Sequence, residues 1–191
     1  MTGDLSGLPA FGLFLSCRSA LRAKVRAIQS HSGDPSQSER LAHKARVYLS
    51  EALAYFAPSY PRLIGVGGLS GSGKSTLAAA LAPRIGTSPG AIVLRSDVVR
   101  KRLLGRRPED KLSGEAYSTK MNERVYAELY RQASTVLSTG FAVIVDASFT
   151  NAEDREAIAR VAREARIPVT GIWLGGPAEV LKTRVRQRHG D

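Results

Sequence analysis

The stretch Gly68-Leu69-Ser70-Gly71-Ser72-Gly73-Lys74-Ser75 decides the fold of this 191-residue chain. It follows a short apolar run at residues 63–66 and precedes a helical run at residues 76–82. Its three glycines allow a turn whose backbone N–H groups point inward, at the positive end of the helix that follows. A strand, a glycine-rich turn and a helix in this order predict a cradle for phosphate groups.

The last residues of this turn carry the charge and the hydroxyl that a nucleotide site needs. Lys74 would place a positive charge at the β- and γ-phosphates, and the Ser75 hydroxyl would be a ligand of Mg²⁺. We therefore expect ATP and Mg²⁺ as cofactors. A turn that merely joins strand to helix would leave the adjacent Lys74 and Ser75 unexplained. The residues predicted to bind the nucleotide are Gly68, Ser70, Gly71, Ser72, Gly73, Lys74, Ser75 and Thr76.

Short apolar runs alternate with longer helical stretches after residue 61. The runs are unalternated and rich in Val and Ile, which is typical of parallel strands that are buried on both faces. Right-handed crossovers through the intervening helices would join them into one sheet. The sequence therefore predicts an α/β fold with strands at residues 63–66, 91–94, 141–145 and 169–174.

Asp146 ends the third of these strands, beside the expected phosphate turn. A carboxylate there would hold Mg²⁺ through water, together with Ser75. The alternative is an aspartate that caps a turn at the end of a strand. Ala147 follows, so the adjacent glutamate that many motor ATPases use to activate water is absent. This disfavours a hydrolytic motor.

Asp97 follows the second strand and precedes a helical run at residues 98–104. Ligands of open parallel sheets bind outside the carboxyl ends of the strands, so Asp97 should face the same crevice as Lys74. A carboxylate there can orient an attacking hydroxyl or accept its proton. The alternative is a helix N-cap, a role for which Ser96 competes.

Basic residues supply candidate phosphate contacts in two places. The cluster beyond Asp97 is predicted to be largely a solvated face, and Arg100 is singled out because it lies three residues from Asp97 on nearly the same side of a helix. Near the C-terminus, Arg184 and Arg188 lie one turn apart on a predicted helix whose Val180, Leu181 and Val185 are expected to be buried. They could clamp the transferring phosphoryl group or lie on an open surface. The first cluster consists of Arg100, Lys101, Arg102, Arg106, Arg107 and Lys111.

Two further helices are predicted before the first strand. Apolar residues recur near helical period through residues 8–28, followed by a polar, turn-forming stretch at residues 31–35. Ser36 and Glu39 have capping-box spacing and would begin a second helix. We expect residues 1–35 to be a helix and linker left from an upstream domain, and residues 36–191 to be the nucleotide-binding domain.

Composition limits the classes of partner. The chain has 28 Lys and Arg against 17 Asp and Glu, a formal charge of +11, which favours anionic ligands. A nucleic-acid partner is possible but not favoured. Only one cysteine is present, which excludes an internal disulfide framework. No apolar run approaches a membrane span, and no leader is evident, so a cytoplasmic location without membrane contact is expected.

Residues 62–188 resemble the small P-loop kinases grouped with gluconate kinase, chloramphenicol phosphotransferase, zeta toxins and polynucleotide 5′-hydroxyl kinases. The resemblance rests on GGLSGSGKST, RSDVVRKRL, VIVDASFTNAEDR and WLGGPAEVLKTRVRQR, which occur in that family's order. It implies a P-loop NTPase three-layer fold with strand order 2-3-1-4 and ATP·Mg²⁺ at residues 68–75. It also implies a substrate-hydroxyl carboxylate at Asp97 and an arginine-bearing lid after the last helix.

A narrower resemblance concerns the whole chain. From residue 61 onward it is similar to the C-terminal half of bacterial two-domain proteins whose first half is aminoglycoside phosphotransferase-like, and LPAFGLFLSCRSALRAKV resembles the tail of that first half. This implies a fragment, truncated before the lid. The leading hypothesis is a kinase acting on a small hydroxyl-bearing acceptor. One alternative is a nucleic-acid 5′-hydroxyl kinase, which the basic cluster permits but which lacks an evident aromatic stacking platform near Asp97, Tyr117 being the nearest tyrosine. The other alternative is a nucleotide-binding regulatory module without turnover.

Overall fold

The computed structural model describes residues 3–31, 34–57, 60–107, 109–112 and 114–187. Within them, short 3₁₀ helices cover Ala82–Arg84 and Gly114–Tyr117. The helices are α1 (Leu8–Gln29), α2 (Pro35–Ala54), α3 (Lys74–Leu81), α4 (Ser96–Leu103), α5 (Thr119–Ser138), α6 (Ala152–Glu164) and α7 (Ala178–Arg186). The strands are β1 (Leu63–Gly68), β2 (Ile92–Arg95), β3 (Val143–Asp146) and β4 (Val169–Leu174).

The four strands form one parallel sheet in the order β2-β3-β1-β4, as predicted. In this register Asp146 pairs with Val66 of β1 and with Arg95 of β2, so three strands reach the same edge of the sheet at the same level. β1 continues two residues further, to Gly68. The glycine-rich turn and the residues that follow β2 and β3 are therefore brought together.

Helices cover both faces of the central strands. On one face, Ile64, Val66 and Ile144 pack with Ala78 of α3 in a buried cluster. Because successive strand residues point to opposite faces, Leu63 and its neighbours in β3 face the other side. There α5, which contacts β2 and β3, supplies the fully buried residues Val125, Leu129, Ala133 and Val136. The result is the three-layer α/β arrangement that the sequence predicts.

β4 departs from the expectation that every strand is buried on both faces. All six residues of β1 and all four of β3 are buried, whereas β4 residues are exposed or intermediate. Trp173 is 54% exposed. The reason is position, since β4 pairs with β1 on one side and no described strand pairs with its other side.

The chain divides into two compact units, Ser6–Pro58 and Met1–Leu5 with Ser59–Asp191. The domain boundary expected at residue 35 falls inside the first of these units, because α2 packs along α1. Small side chains, including Ser16, Ala23 and Ala45, are buried in this helix pair, while Phe14 and Leu53 are each 68% exposed. None of the described helices combines the length and apolarity needed to cross a membrane.

Two predicted helix starts are shifted. α2 begins at Pro35, with Asp34 and not Ser36 at the N-cap position. Proline is well suited to the first helical position because its missing N–H would have no partner there. In α6, the capping-box spacing of Thr150 and Glu153 predicts an N-cap at Thr150, but the helix begins at Ala152 and Asn151 holds the N-cap position.

Candidate active site

The turn between β1 and α3 has the backbone conformation that its glycines predict. Gly68, Gly71 and Gly73 have positive φ angles of 138°, 81° and 92°. A Cβ atom on Gly71 would lie 2.6 Å from the carbonyl oxygen of Leu181, so only glycine fits this position without displacement. Gly73 is the N-cap of α3, which places the free N–H groups of the first helical turn at the loop. These N–H groups and the helix dipole favour an anion.

Polar side chains of the loop also suit an anion. The Nζ atom of Lys74 donates a hydrogen bond to the carbonyl oxygen of Leu69 at 2.9 Å and is exposed, so it lies against the loop. The Oγ atom of Ser72 is buried without a hydrogen-bond partner among the described residues. A cationic amine at the rim and an unsatisfied hydroxyl within the loop are consistent with a phosphate cradle.

Ser75 and Asp146 meet at the carboxyl edge of the sheet. Ser75 Oγ donates to Asp146 Oδ2 at 2.6 Å, although 71 residues separate them in sequence. Asp146 is only 4% exposed, and its Oδ2 also lies 3.6 Å from the Nε atom of Arg95. A hydroxyl and a carboxylate are hard oxygen donors of the kind that Mg²⁺ prefers, so the residues present fit this ion. The two residues predicted to hold Mg²⁺ are therefore in direct contact, and their role in metal binding stays a prediction.

Asp97 lies in the first turn of α4 and does not cap that helix. The N-cap position is held by Arg95, and no side chain provides a capping hydrogen bond there. The Oδ2 atom of Asp97 instead pairs with the Nζ atom of Lys101 at 3.2 Å. The Lys101 side chain is only 5% exposed, whereas that of Asp97 is 32% exposed. The carboxylate is thus held from one side by a buried cation and is open on the other.

Arg100, which the sequence singles out as a contact for an anionic acceptor, is held by contacts within the protein and also lines the cavity described below, so that role stays a prediction. Its Nη1 atom donates to the carbonyl oxygen of Ala116 at 2.8 Å, and its Cζ atom lies 4.8 Å from the centroid of the Tyr117 ring. Burial lowers the pKa of Arg100, but a guanidinium stays charged at neutral pH. Within the cluster that is predicted to be largely solvated, Lys101 is only 4% exposed, and Arg100, which is singled out from that cluster, is 6% exposed. Their helix packs on α5.

A cavity of about 660 Å³ joins these features. Its lining includes Lys74, Ser75, Asp97 and Asp146, so the sheet edge brings the predicted loop and both carboxylates to one space. This volume is in the range of ligand sites. The predicted loop residues Ser70, Gly71 and Gly73 also line it, whereas Gly68, Ser72 and Thr76 are not in its lining.

The helix α7 meets the cavity through residues other than those predicted. Val185 and Arg186 line it, and Arg184 does not, while Arg188 lies outside the described residues. Val180 and Val185 are 43% and 42% exposed, so the expectation that they are buried is wrong, and Leu181 is the buried residue of this helix. The apolar spacing predicted the helix, and in the folded chain Leu181 and Val185 lie against Gly71 of the phosphate turn.

Two tyrosines of α5 contact residues of the cavity wall, and one of them, Tyr126, lines the cavity itself. Tyr126 Oη lies 2.9 Å from Ser148 Oγ and accepts from the backbone N–H of Phe149, which fixes the segment after β3. Tyr130 Oη donates to Asp154 Oδ1 at 3.1 Å, and burial raises the pKa of the Asp154 carboxyl. Sequence reasoning missed Tyr126, Ser148, Asp154, Arg95 and Arg186 as cavity residues. Arg95, the last residue of β2, and Ser148, two residues beyond Asp146, lie at strand ends, which is the signal that sequence reasoning could have used.

The fold and the site together define a class of protein. The parallel sheet with order β2-β3-β1-β4, the glycine-rich turn that leads into α3, and the Ser75–Asp146 pair are those of a P-loop NTPase with a kinase-like fold.

Comparison with known proteins assigns the family. The model of the family AAA_33, described as AAA domain, matches residues 63–191. The chain therefore belongs to this family of P-loop kinases. A crystal structure of a candidate kinase from Chloroflexus aurantiacus superposes with a TM-score of 0.55 and 26% identity, covering 68% of each chain.

Curated relatives match over different lengths. An uncharacterized protein of Mycobacterium tuberculosis is 29% identical over 196 residues, which covers 99% of this chain and 37% of that protein. The chain thus spans little more than a third of the length of that relative. The adenylyl-sulfate kinase of Myxococcus xanthus is 33% identical over 117 residues, covering 61% of this chain and 59% of that enzyme.

Proposed function

We propose that this protein is an ATP-dependent phosphotransferase that moves the γ-phosphoryl group of ATP to a hydroxyl of an acceptor. The observation that carries the proposal is the convergence of Lys74, the Ser75–Asp146 pair and Asp97 on one cavity. The match to a P-loop kinase family supports the reaction class. The acceptor is a molecule small enough for a cavity of about 660 Å³ that the nucleotide phosphates also enter.

Each group has a distinct task in this reaction. The N–H groups of the turn at residues 68–75 bind the phosphates, and the Lys74 ammonium exchanges its contact with Leu69 for the β- and γ-phosphate oxygens. Ser75 and Asp146 would hold Mg²⁺, which supplies charge neutralisation between these phosphates when bound. Arg95 lies 3.6 Å from Asp146 and adds positive charge at the same edge.

Asp97 positions the acceptor. Its open side accepts a hydrogen bond from the acceptor hydroxyl, and its ion pair with Lys101 keeps the carboxylate in place. The acceptor oxygen forms a bond to the γ-phosphorus while the bond to the β–γ bridging oxygen breaks, and ADP leaves. The hydroxyl proton passes to Asp97 and then to solvent. Little base strength is needed because the transition state of phosphoryl transfer is loose.

Two substitutions test these roles. Lys74→Ala should abolish ATP binding because it removes the cation at the phosphates. Asp97→Asn should leave ATP affinity near that of the wild type and slow transfer by about 10²- to 10⁴-fold. Calorimetric titration with Mg·ATP measures binding. Phosphorus NMR with Mg·ATP and a panel of sugars, antibiotics and oligonucleotides measures transfer.

Lys44→Ala is the matched control for these two substitutions. Lys44, which is exposed on α2, does not line the cavity, so Lys44→Ala should change neither readout. An equal loss of ATP affinity in Lys74→Ala and Asp97→Asn would contradict the separate roles. Binding of Mg·ATP without any product that depends on Lys74 would favour the regulatory alternative.

A further inference from the structure

Tyr117 is the aromatic residue that the proposed mechanism leaves unused. It ends the 3₁₀ helix Gly114–Tyr117, lines the same cavity as Lys74 and Asp97, and is 54% exposed. Because about half of this large aromatic side chain is open and the residue lines the cavity, apolar ring area is available there to a ligand. The ring is therefore a candidate binding surface.

The ring is fixed in place from behind. The Arg100 guanidinium lies 4.8 Å from the ring centroid and also donates to the carbonyl oxygen of Ala116. Asn122 Nδ2 donates to the carbonyl oxygen of Tyr117 itself at 3.2 Å. Three contacts thus hold one short segment against α4 and α5, so little freedom is lost when a ligand packs on the ring.

The chemistry of the open surface selects the kind of ligand. The Arg100 guanidinium lies over one face of the Tyr117 ring and interacts with the negative charge of the π-system. The other face is therefore poorly suited to a second cation and well suited to another flat π-system. Aromatic side chains bind nucleic-acid bases by such stacking. Asp110, Asn122 and Asn151 line the same cavity and offer donors and acceptors for ring heteroatoms.

We propose that Tyr117, backed by Arg100, is a stacking platform for an acceptor that carries a flat heteroaromatic ring, the chemistry of a nucleoside. The inference rests on the proposed function, since it places this ring beside the hydroxyl that Asp97 orients. Two sources share this chemistry, a free nucleoside and the 5′ end of a short single strand. Arg100 is then a positioning residue that acts through Tyr117.

The test is a binding titration with the full chain. Mg·AMPPNP is added to saturation so that the phosphate loop is filled, and adenosine, guanosine, cytidine, a 5′-hydroxyl dinucleotide and glucose are titrated separately. The variants are Tyr117→Ala, Tyr117→Leu and Tyr117→Phe. Tyr48→Ala is the matched control, because Tyr48 also lies under an arginine, Arg22 at 5.7 Å, but does not line the cavity.

We expect at least one nucleoside or the dinucleotide to bind, with its Kd raised about 5- to 150-fold by Tyr117→Ala and by Tyr117→Leu. Tyr117→Phe should bind like the wild type because it keeps the ring, and Tyr48→Ala should have no effect. Tighter binding of the dinucleotide would identify a strand end as the source, and tighter binding of a nucleoside would identify the free compound.

The results that overturn the inference are separate from those that overturn the proposed function. The stacking platform would be refuted if glucose bound in preference to every nucleoside. It would also be refuted if nucleosides bound equally well to the wild type and to Tyr117→Ala. Binding of AMPPNP in the same experiments would still support the nucleotide site. Failure of AMPPNP to bind would refute the proposed function. The nucleoside titration is repeated without AMPPNP, so the role of Tyr117 is decided in that case too.

Discussion

Gly68 carries two independent constraints at the scale of a single residue. Its φ angle of 138° lies where side chains are strained, and a Cβ atom there would overlap the carbonyl oxygen of Leu174 and approach Ser72 Oγ at 2.9 Å. The backbone of β1 and the phosphate turn thus meet β4 at a point with no room for a methyl group. The pattern of glycines predicted the turn, whereas the approach of Leu174 is visible only in the folded chain.

Gly68→Ala should lower the free energy of unfolding by about 2 kcal/mol or more, because it combines backbone strain with an overlap against backbone atoms that cannot rotate away. Urea denaturation measures the effect. Gly114→Ala is the control, since no atom of the described residues lies within 4 Å of its added Cβ, so a change under about 1 kcal/mol is expected. Equal destabilisation by both substitutions would contradict this explanation.

At the scale of elements, α4 and α5 hold the acceptor side of the cavity. Glu128 of α5 accepts hydrogen bonds from Arg102 of α4 and from Arg131 and Gln132 of its own helix, at 2.7 Å in each case. Hydrogen bonding from Arg131 and Gln132, with the charges of Arg131 and Arg102, lowers the pKa of Glu128 to about 2. This ionised carboxylate stabilises the packing of α4, and α4 carries Asp97 and Arg100.

Glu128→Gln should therefore reduce the free energy of unfolding at neutral pH by about 1 to 2 kcal/mol. The pKa is lower in the folded chain than the ordinary value of 4.5, so this contribution is fully present above pH 4.5 and is lost as the pH falls towards 2. Urea denaturation at pH 7 and at acidic pH should show the difference between wild type and variant shrinking with acidification.

Glu123→Gln provides the comparison for that series. Glu123 is an exposed residue of the same helix, so its substitution changes charge by the same amount without removing the contacts to α4. A pH-independent difference between Glu128→Gln and the wild type, or an equal effect of Glu123→Gln, would be inconsistent with the ionised network.

At the scale of the whole molecule, the nucleotide site belongs to one of two compact units. Every residue that lines the cavity lies in the unit that contains Ser59–Asp191, whereas α1 and α2 form the other unit. The resemblance of the chain to the second half of longer two-domain proteins stays a prediction. The relative from Mycobacterium tuberculosis, of which the chain covers 37%, is longer.

Binding of Mg·AMPPNP should slow amide hydrogen exchange in the segments around residues 68–76 and 143–146, since the ligand binds only the folded form of that unit. At a ligand concentration of about 100 times Kd the stabilisation is about 2.7 kcal/mol. Exchange in α1 and α2 should not change. Mass spectrometry of peptides from these segments checks both expectations, and protection confined to α1 and α2 would be evidence against the assigned site.

The sequence by itself determined the order of strands and helices, the phosphate turn, the sheet order implied by the family resemblance, and the two carboxylates at strand ends. These features follow from local patterns, because a glycine-rich turn, an apolar strand and a helical period can each be recognised within about 10 residues of sequence. The contact of Ser75 with Asp146 was also within reach, since parallel strands end at a common edge.

Only the tertiary structure decided which basic residues face the cavity. Arg100 and Arg102 look alike in sequence, yet one lies buried against Tyr117 and the other pairs with Glu128. Arg186 lines the cavity and Arg184 does not, and Leu181 and Val185 of the same helix lie against Gly71. The grouping of α2 with α1 likewise depends on long-range packing. Which residues face the cavity and which helices pack together depend on side chains that are distant in sequence, so no local sequence pattern predicts them.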